Sequence, residues 1–450
     1  MVGVNRMTIM KKTITEYLND EVRAFSTYAN VRTIPSVVDS FKPGQRKAIY
    51  TLLRRGESSG EVKVSSLSGE VITHAAYHHG NVSLENTIIT LSQNFSGSNN
   101  YNLLEPIGQF GTRLNKDASA ARYIFTKLSK YFRMFYKKED ELLLVQKDED
   151  GDLIEPENYF PIVPTVLLNG VSGVGTGFAT MIMSYKASDV IDNCVAVLNG
   201  KKQKSLIPWV RDFTGTINRE PSGSIVMTGV LTVTGVYSLK ITEIPTDYDL
   251  ESYKGVLNKL EDAGVIREYD DLSSGNRFEF VVKINREVSQ LPMDKLLEKF
   301  KLISKFSENY TLFNENNKIK VFQNPNEIVE YFVKLRLIKY AERIAALIKY
   351  KEEDLVWKNE KIKFIKYWLK NSNSLTKLTK SELYDNLKNA GFISIDDLLG
   401  NKIYNLTKEE VDKLENQIIE VTNEIVELKN TKPNELYIKE LQILKKELKE

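Results

Sequence analysis

Residues 106–126 read PIGQFGTRLNKDASAARYIFT, a glycine-punctuated run that ends on an adjacent arginine and tyrosine, Arg122 and Tyr123. It closes a polar loop, 94–111, rich in Asn, Ser and Gly, and leads into a segment, 122–135, that reads as a helix. A loop that long inside a compact domain is usually functional or mobile. A tyrosine hydroxyl, with a pKa of about 10, is a poor nucleophile at neutral pH. It becomes useful where a guanidinium and other cations favour the phenolate and bind the oxygens of a phosphate. The chain has 22 tyrosines, however. An Arg-Tyr pair heading a helix also suits a core tyrosine beside an exposed arginine, so residue chemistry alone leaves both readings open.

Working outward, the nearest anomaly is histidine. The chain has three, His74, His78 and His79, all within six positions. Histidine is the usual proton-transfer or phosphate-contacting side chain near neutrality. The competing reading is a capped turn before a helix at 82–93. Neither cysteine nor a carboxylate pair accompanies them, which speaks against zinc. Further upstream, Lys42-Pro-Gly44 is a turn signal, and 45–55 (QRKAIYTLLRR) follows as a basic amphipathic helix. Downstream, Gly173-Val-Gly-Thr-Gly177 lacks the lysine of a nucleotide loop and reads as a tight turn bringing backbone close to a partner. Asp148-Glu-Asp-Gly-Asp152 lacks the distal glutamate of a calcium loop and reads as a solvated hairpin turn.

The middle of the chain is mixed. Residues 215–244 alternate as strands, 250–264 is helical and 278–284 is a further strand. The last third is different again. Residues 326–370 contain no Gly or Pro and place Ile328, Phe332, Leu335, Ile338, Ala341, Ala345 and Ile348 three or four apart. At ~1.5 Å per residue that is a helix of roughly 65 Å. Thr407 and Glu410 form a capping box, after which Val411, Leu414, Ile418, Val421, Ile425 and Leu428 make a heptad seam. Two long helices joined by a short globular segment should pair antiparallel.

Length and composition bound these readings. The 450 residues suggest two to four domains, and 42% hydrophobic residues suffice for real cores. One cysteine, Cys194, excludes an internal disulfide and fits a reducing compartment. The most apolar stretch, 161–183, is too interrupted to span a bilayer, so no membrane association is expected. The net charge of +2 conceals an asymmetry. Residues 1–138 hold 19 Lys and Arg against 10 Asp and Glu, and the remainder holds 43 against 50. A basic first third hints at a polyanion-binding surface.

Several motifs occur together in order: Asp39-Ser-Phe-Lys-Pro-Gly-Gln-Arg-Lys47, Tyr77-His-His-Gly80, QNFSGSNN at 93–100, the opening stretch, and LNGVSGVGTG at 168–177. PWVRDFTGT at 208–216, ITEIP at 241–245 and YNLTKEE at 404–410 continue them. This pattern resembles the DNA breakage-reunion region of type IIA DNA topoisomerases, in wording nearer the eukaryotic enzymes than gyrase. A breakage chain of this length is similar to the breakage subunit of T-even-type bacteriophage enzymes.

The resemblance implies a multidomain α+β fold, mainly α. Its parts would be an N-terminal arm (1–28), a winged-helix, CAP-like cleavage domain (29–152) and a mixed α/β tower (153–325). An antiparallel coiled coil (326–370 with 405–430), an exit-gate globule (371–404) and a C-terminal helix (431–450) would complete it. By the same resemblance Tyr123 is the nucleophile that keeps a 5′ DNA end as a phosphotyrosine. Arg122 holds the scissile phosphate, and His79 with His78 lines the same pocket. Lys42, Arg46, Lys47, Arg113 and Lys116 bind DNA. Val174 stands where the family has an intercalating isoleucine, one methylene shorter. Asn81 replaces a common acidic residue.

With no carboxylate cluster near Tyr123, no metal is expected on this chain. Magnesium is expected in trans, from the Toprim domain of a separate ATPase/Toprim subunit that also hydrolyses ATP. The further expectations are double-stranded DNA as substrate, a homodimer, relaxation of supercoils because no DNA-wrapping domain is seen, and an intracellular site, in a bacterial host's cytoplasm if phage-encoded. Two alternatives stand beside this reading: a recombination-type tyrosine double-strand cutter, disfavoured by the coiled coil, and a non-catalytic DNA-binding scaffold of the same fold.

Overall fold

The computed structural model describes residues 12–56, 59–400 and 405–448. Part of the expected arm, 1–11, and Tyr404 of the YNLTKEE motif lie outside the described residues. The chain divides into two compact units, Met1–Arg336 with Ile438–Glu450, and Leu337–Tyr437.

The first unit opens with helices built on basic, amphipathic sequence. Helix α1 spans Arg23–Thr33. Helix α2, Pro43–Arg55, starts on a proline whose fixed φ suits a first helical position, and Gln45 reaches back to the Lys42 backbone N–H at 2.9 Å. It buries Ala48, Ile49 and Leu52 against α3 (Val64–His74) and α4 (Asn81–Ser92). A short antiparallel ladder pairs β1 (Val62–Lys63) with β2 (Phe125–Thr126). The acidic turn sits as expected on a hairpin of β3 (Gln146–Glu149) and β4 (Asp152–Pro156), with Asp150 and Gly151 both at positive φ. Three packed helices, a small ladder and this wing form the winged-helix part. The wing straddles the expected boundary at 152/153.

One helix is shorter than its sequence suggests. The 122–135 segment is helical only as α5, Lys130–Phe135, capped by Ser129. Phe125 and Thr126 pair instead with Lys63 and Val62, and Ile107 bridges Phe125. Non-local strand pairing overrides local helical preference there. The 94–111 loop is likewise not loose: Asn100 is buried, donating to the Leu168 and Trp209 carbonyls at 3.0 and 3.1 Å.

Beyond the wing, β5 (Val171–Val174) and β6 (Ala179–Ile182) form a hairpin. The tower follows. Strands Val230–Gly235, Ser238–Glu243, Phe280–Ile284 and Ile266–Asp271 make an antiparallel sheet, and helix Leu250–Asp262 covers it with Tyr253 and Leu257. A second, three-stranded sheet holds Thr216–Arg219, Ile225–Thr228 and Ile303–Phe306.

The helix Pro325–Leu375 runs 51 residues. Within the second unit it pairs antiparallel with Lys408–Asn430 through Ile362, Ile365, Val411 and Leu414. Of the six heptad residues, Val411, Leu414 and Ile425 are buried and Ile418, Val421 and Leu428 are half-buried. Lys351–Glu424, Lys366–Glu415 and Lys429–Glu352 flank the seam at 2.5, 2.8 and 2.7 Å. The expected apolar face is correct only in part on the long helix. Ile338, Ala341 and Ala345 are exposed, while Tyr340, Arg343 and Ile344 are buried, because Tyr340 stacks on Tyr437 at 4.4 Å. Helices Lys380–Asn389 and Ile395–Leu399 form a small globule with Phe364 and Phe392 in its core. No described helix is long and apolar enough to cross a membrane.

Candidate DNA cleavage site

Tyr123 sits on a turn, its N–H bonded to the Ala120 carbonyl at 2.8 Å. The turn is fixed on both sides: Ser119 N–H donates to Gln109 O at 2.9 Å, and the Ile107–Phe125 bridge follows. The side chain therefore projects from a rigid base, and it is 67% exposed. The Arg122 guanidinium lies 4.7 Å from its ring. An exposed phenol with a cation beside it is not a core tyrosine, which sets the core reading aside.

The histidines occupy a different place. A cavity of about 570 Å³ is lined by Arg32, Lys42, Lys47, His78, His79 and Glu149, among others. His79 meets Tyr28 Oη at 2.6 Å through Nε2 and packs edge-on to Tyr77. Burial, reinforced by the charges of Arg32, His78 and Lys47, lowers its pKa below the ordinary imidazole value. His78 is exposed and meets Glu149 Oε1 at 2.6 Å, and that hydrogen bond lowers the pKa of Glu149. Tyr123 does not line this cavity, and no contact joins it to either histidine among the described residues. The expected single pocket is thus not seen in this chain: the cavity holds the histidines, and Tyr123 stands outside its lining. The Tyr123 side chain faces solvent from its turn.

The basic residues divide sharply. Lys42 is partly buried, which lowers its pKa, and caps the Ser172 carbonyl of β5 at 2.7 Å. Lys47 is bound to the buried Glu155 at 2.8 Å and to the Ala75 carbonyl. Arg46 is a correction. It is 5% exposed and forms a two-pronged pair with the buried Asp39 at 2.7 and 3.0 Å, so its cation is consumed inside the domain. Arg113, 2% exposed, is another: it donates to the carbonyls of Tyr248, Ile244 and Pro245. Lys116 donates to Thr246 O at 2.8 Å. Sequence reasoning missed Tyr28, Arg32 and Glu149. The first two stand four apart on α1, a readable signal. Nothing local marks Glu149, 71 positions from His78.

Val174 is 78% exposed on the β5–β6 hairpin. The glycines beside it are dictated by packing. A Cβ on Gly173 would fall 2.1 Å from Thr33 O, and one on Gly175 would fall 2.0 Å from Asn30 Oδ1. The hairpin thus lies directly on α1 and presents an apolar side chain outward. Among the described residues no three His, Cys, Asp or Glu side chains converge to hold a metal ion.

Comparison with known proteins bears on the family and the fold. The A-subunit family of DNA gyrase/topoisomerase IV matches residues 32–449. The mitochondrial DNA topoisomerase 2 of Dictyostelium discoideum is 35% identical over 98% of this chain, which spans 36% of that protein. The DNA topoisomerase 2 of Drosophila melanogaster is 39% identical over 72% of the chain and 23% of its own length. The chain thus spans about a third or less of these relatives. Among solved structures, the DNA-binding, cleavage and re-ligation domain of Plasmodium falciparum topoisomerase II superposes with a TM-score of 0.91 at 33% identity, over 96% of this chain and 64% of that one. With the matching family and the shared fold, the chain belongs to the type IIA DNA topoisomerases, as their breakage-reunion region.

Proposed function

We propose that this chain cuts and rejoins double-stranded DNA by transesterification, with Tyr123 as the nucleophile. The observation that carries the reading is an exposed tyrosine on a fixed turn with a guanidinium 4.7 Å from its ring. The Tyr123 hydroxyl loses its proton and its oxygen bonds to a backbone phosphorus. The bond from that phosphorus to the neighbouring 3′ oxygen breaks, and the leaving oxygen takes up a proton. The 5′ end stays on the enzyme as a phosphotyrosine. One phosphodiester replaces another, so rejoining needs no external energy.

Phosphoryl transfer depends on positioning and charge neutralisation. Arg122 supplies charge at the reacting phosphate. Lys42, Arg32, His78 and His79 line the cavity that would hold the neighbouring backbone, and Val174 would wedge between base pairs and bend the duplex. A divalent ion such as magnesium supplies further neutralisation when bound, and it would be held by carboxylates of a Toprim domain elsewhere in the complete enzyme. Since the relatives are larger proteins, ATP-driven gate motion belongs to that other part, on a separate subunit if the chain is of the T-even phage type. Two copies of the chain would make the paired breaks through which a second duplex passes, giving relaxation inside the cell.

The test is covalent capture. Mixed with the ATPase/Toprim component, magnesium and supercoiled DNA, the chain should remain linked to 5′ DNA ends after denaturant. Tyr123→Phe should abolish the adduct and leave duplex affinity nearly intact. An adduct that survives in that variant rules out the assignment. Arg122→Ala should slow cleavage more than it weakens affinity, because its contact strengthens in the transition state; an equal loss in both would count against it.

A further inference from the structure

Arg113 and Lys116 belong to the loop that carries the nucleophile, yet neither points to solvent as a DNA-binding cation would. Arg113 Nη1 donates to Tyr248 O at 2.5 Å, and Nη2 donates to Ile244 O and Pro245 O at 2.8 and 3.0 Å. Its guanidinium lies 4.7 Å from the Phe278 ring centroid and 3.8 Å from Glu243. Lys116 Nζ donates to Thr246 O at 2.8 Å, and Leu250 N–H donates back to Leu114 O at 3.0 Å. Apart from Phe278, all of these partners lie on one strap, 243–250, which joins strand Ser238–Glu243 of the tower sheet to helix Leu250–Asp262.

The loop itself is stiff between that strap and Tyr123. At Gly111, with φ +92, a Cβ would fall 2.5 Å from Lys116 O, so the loop folds tightly on itself. Gln93 Nε2 donates to both Phe110 O and Lys116 O, at 2.9 and 3.0 Å. Ser119 N–H donates to Gln109 O, and the Ile107–Phe125 bridge closes the far side. Gly108, with φ +107, sits against Ile124, the residue after the nucleophile. A chain of direct contacts therefore runs from the tower strap through Arg113 to the turn bearing Tyr123.

We propose that Arg113, assisted by Lys116, is a positioning residue that fixes the Tyr123 turn to the tower strap, so that placement of the nucleophile depends on how the tower sits. The inference rests on Tyr123 acting as the nucleophile. Only the guanidinium fits this role, because one planar group must reach three carbonyls at once. A lysine keeps the charge but not the fork.

The experiment compares the Arg113→Lys, Arg113→Ala, Lys116→Met and Tyr123→Phe variants in the complete enzyme. The readouts are the single-turnover rate of adduct formation, duplex affinity as a function of salt, and thermal melting. Arg113→Lys should slow adduct formation by about a hundredfold, the scale of an ångström misplacement. Duplex affinity and its salt slope should stay unchanged. Lys116→Met should move the rate in the same direction by a smaller factor. Wild-type rates in Arg113→Lys overturn the proposal. So does a salt slope reduced by about one with rescue by lysine, the signature of a phosphate contact. If the Arg113 variants fail to fold, Lys116→Met decides: a full rate there overturns the proposal. Adduct persisting in Tyr123→Phe removes the underlying nucleophile assignment instead, and is distinguished by that variant alone.

Discussion

At the scale of single residues, a cation's value depends on what already holds it. Arg46 lies in a motif rich in positive charge, yet both its prongs are spent on Asp39, whose carboxylate also receives the backbone N–H groups of Phe41 and Tyr159. Breaking such a buried pair strands one charge and costs about 3–5 kcal/mol. Asp39→Ala should therefore lower the unfolding midpoint strongly in denaturant titrations. Duplex affinity of the fraction still folded should be preserved. His79 offers a pH test whose sign is fixed by its depressed pKa. The unfolded chain takes up the proton first, at the ordinary imidazole value, so folding stability is lost as pH falls through about 6.5. His79→Gln should flatten the pH dependence of the melting temperature between about pH 7 and 5.5. An unchanged slope would show that the ring is not desolvated as its contacts with Tyr28 and Tyr77 imply. The arginines and lysines of the first third were legible in the sequence as a charge. Their roles were not, since the carbonyls that bind Arg113 lie more than 130 positions downstream.

At the scale of elements, legibility follows the range of the interaction. The seam from Val411 to Leu428 could be read from spacing alone because its period is local and its partner helix needs only a matching stripe. The predicted helix at 122–135 failed over its first half because Val62 and Lys63, some sixty positions away, claim Thr126 and Phe125 as strand partners. That failure matters for chemistry: the strand and its turn expose Tyr123, whereas a helix could have buried it. The hairpin that carries Val174 combines both cases. Its glycines were readable as a close approach, but the approaching group, Thr33 O, was not. Val174 is mostly solvent-exposed, so Val174→Ala should change stability by no more than about 0.5 kcal/mol. Duplex bending, followed by energy transfer between dyes on the DNA ends, should nevertheless fall. Gly173→Ala should be the more severe change. Backbone cannot yield the missing space, so about 1–3 kcal/mol of stability should be lost along with bending. If Gly173→Ala melts like wild type, the hairpin is not held on α1 as described.

At the scale of the whole molecule, the near-neutral charge proves to be an average of unlike parts, and the basic part is itself partly neutralised from within. Arg46, Lys47 and Arg55 are paired with Asp39, Glu155 and Glu70. Fewer cations are left for DNA than the composition suggests. Arg32→Gln should reduce the salt slope of duplex binding by about one, while Arg55→Gln should leave it unchanged. The proposed pairing of two copies has its own handle in the second unit. Ile393 is 86% exposed although Phe392 and Ile395 beside it are buried in the globule core. Its backbone is not free to turn the side chain inward: the N–H groups of Ile393 and Ser394 both donate to Glu360 Oε1, at 2.6 and 3.1 Å. An isoleucine held outward on a fixed backbone suits contact with a second copy of the chain, which the proposed paired break requires. Ile393→Asp should shift the sedimenting species from dimer toward monomer at low micromolar concentration. Because the side chain contributes nothing to the folded core, the melting of the unit should not change. A variant that stays fully dimeric would place the contact elsewhere, while one that melts early would show that Ile393 supports the globule and not its pairing.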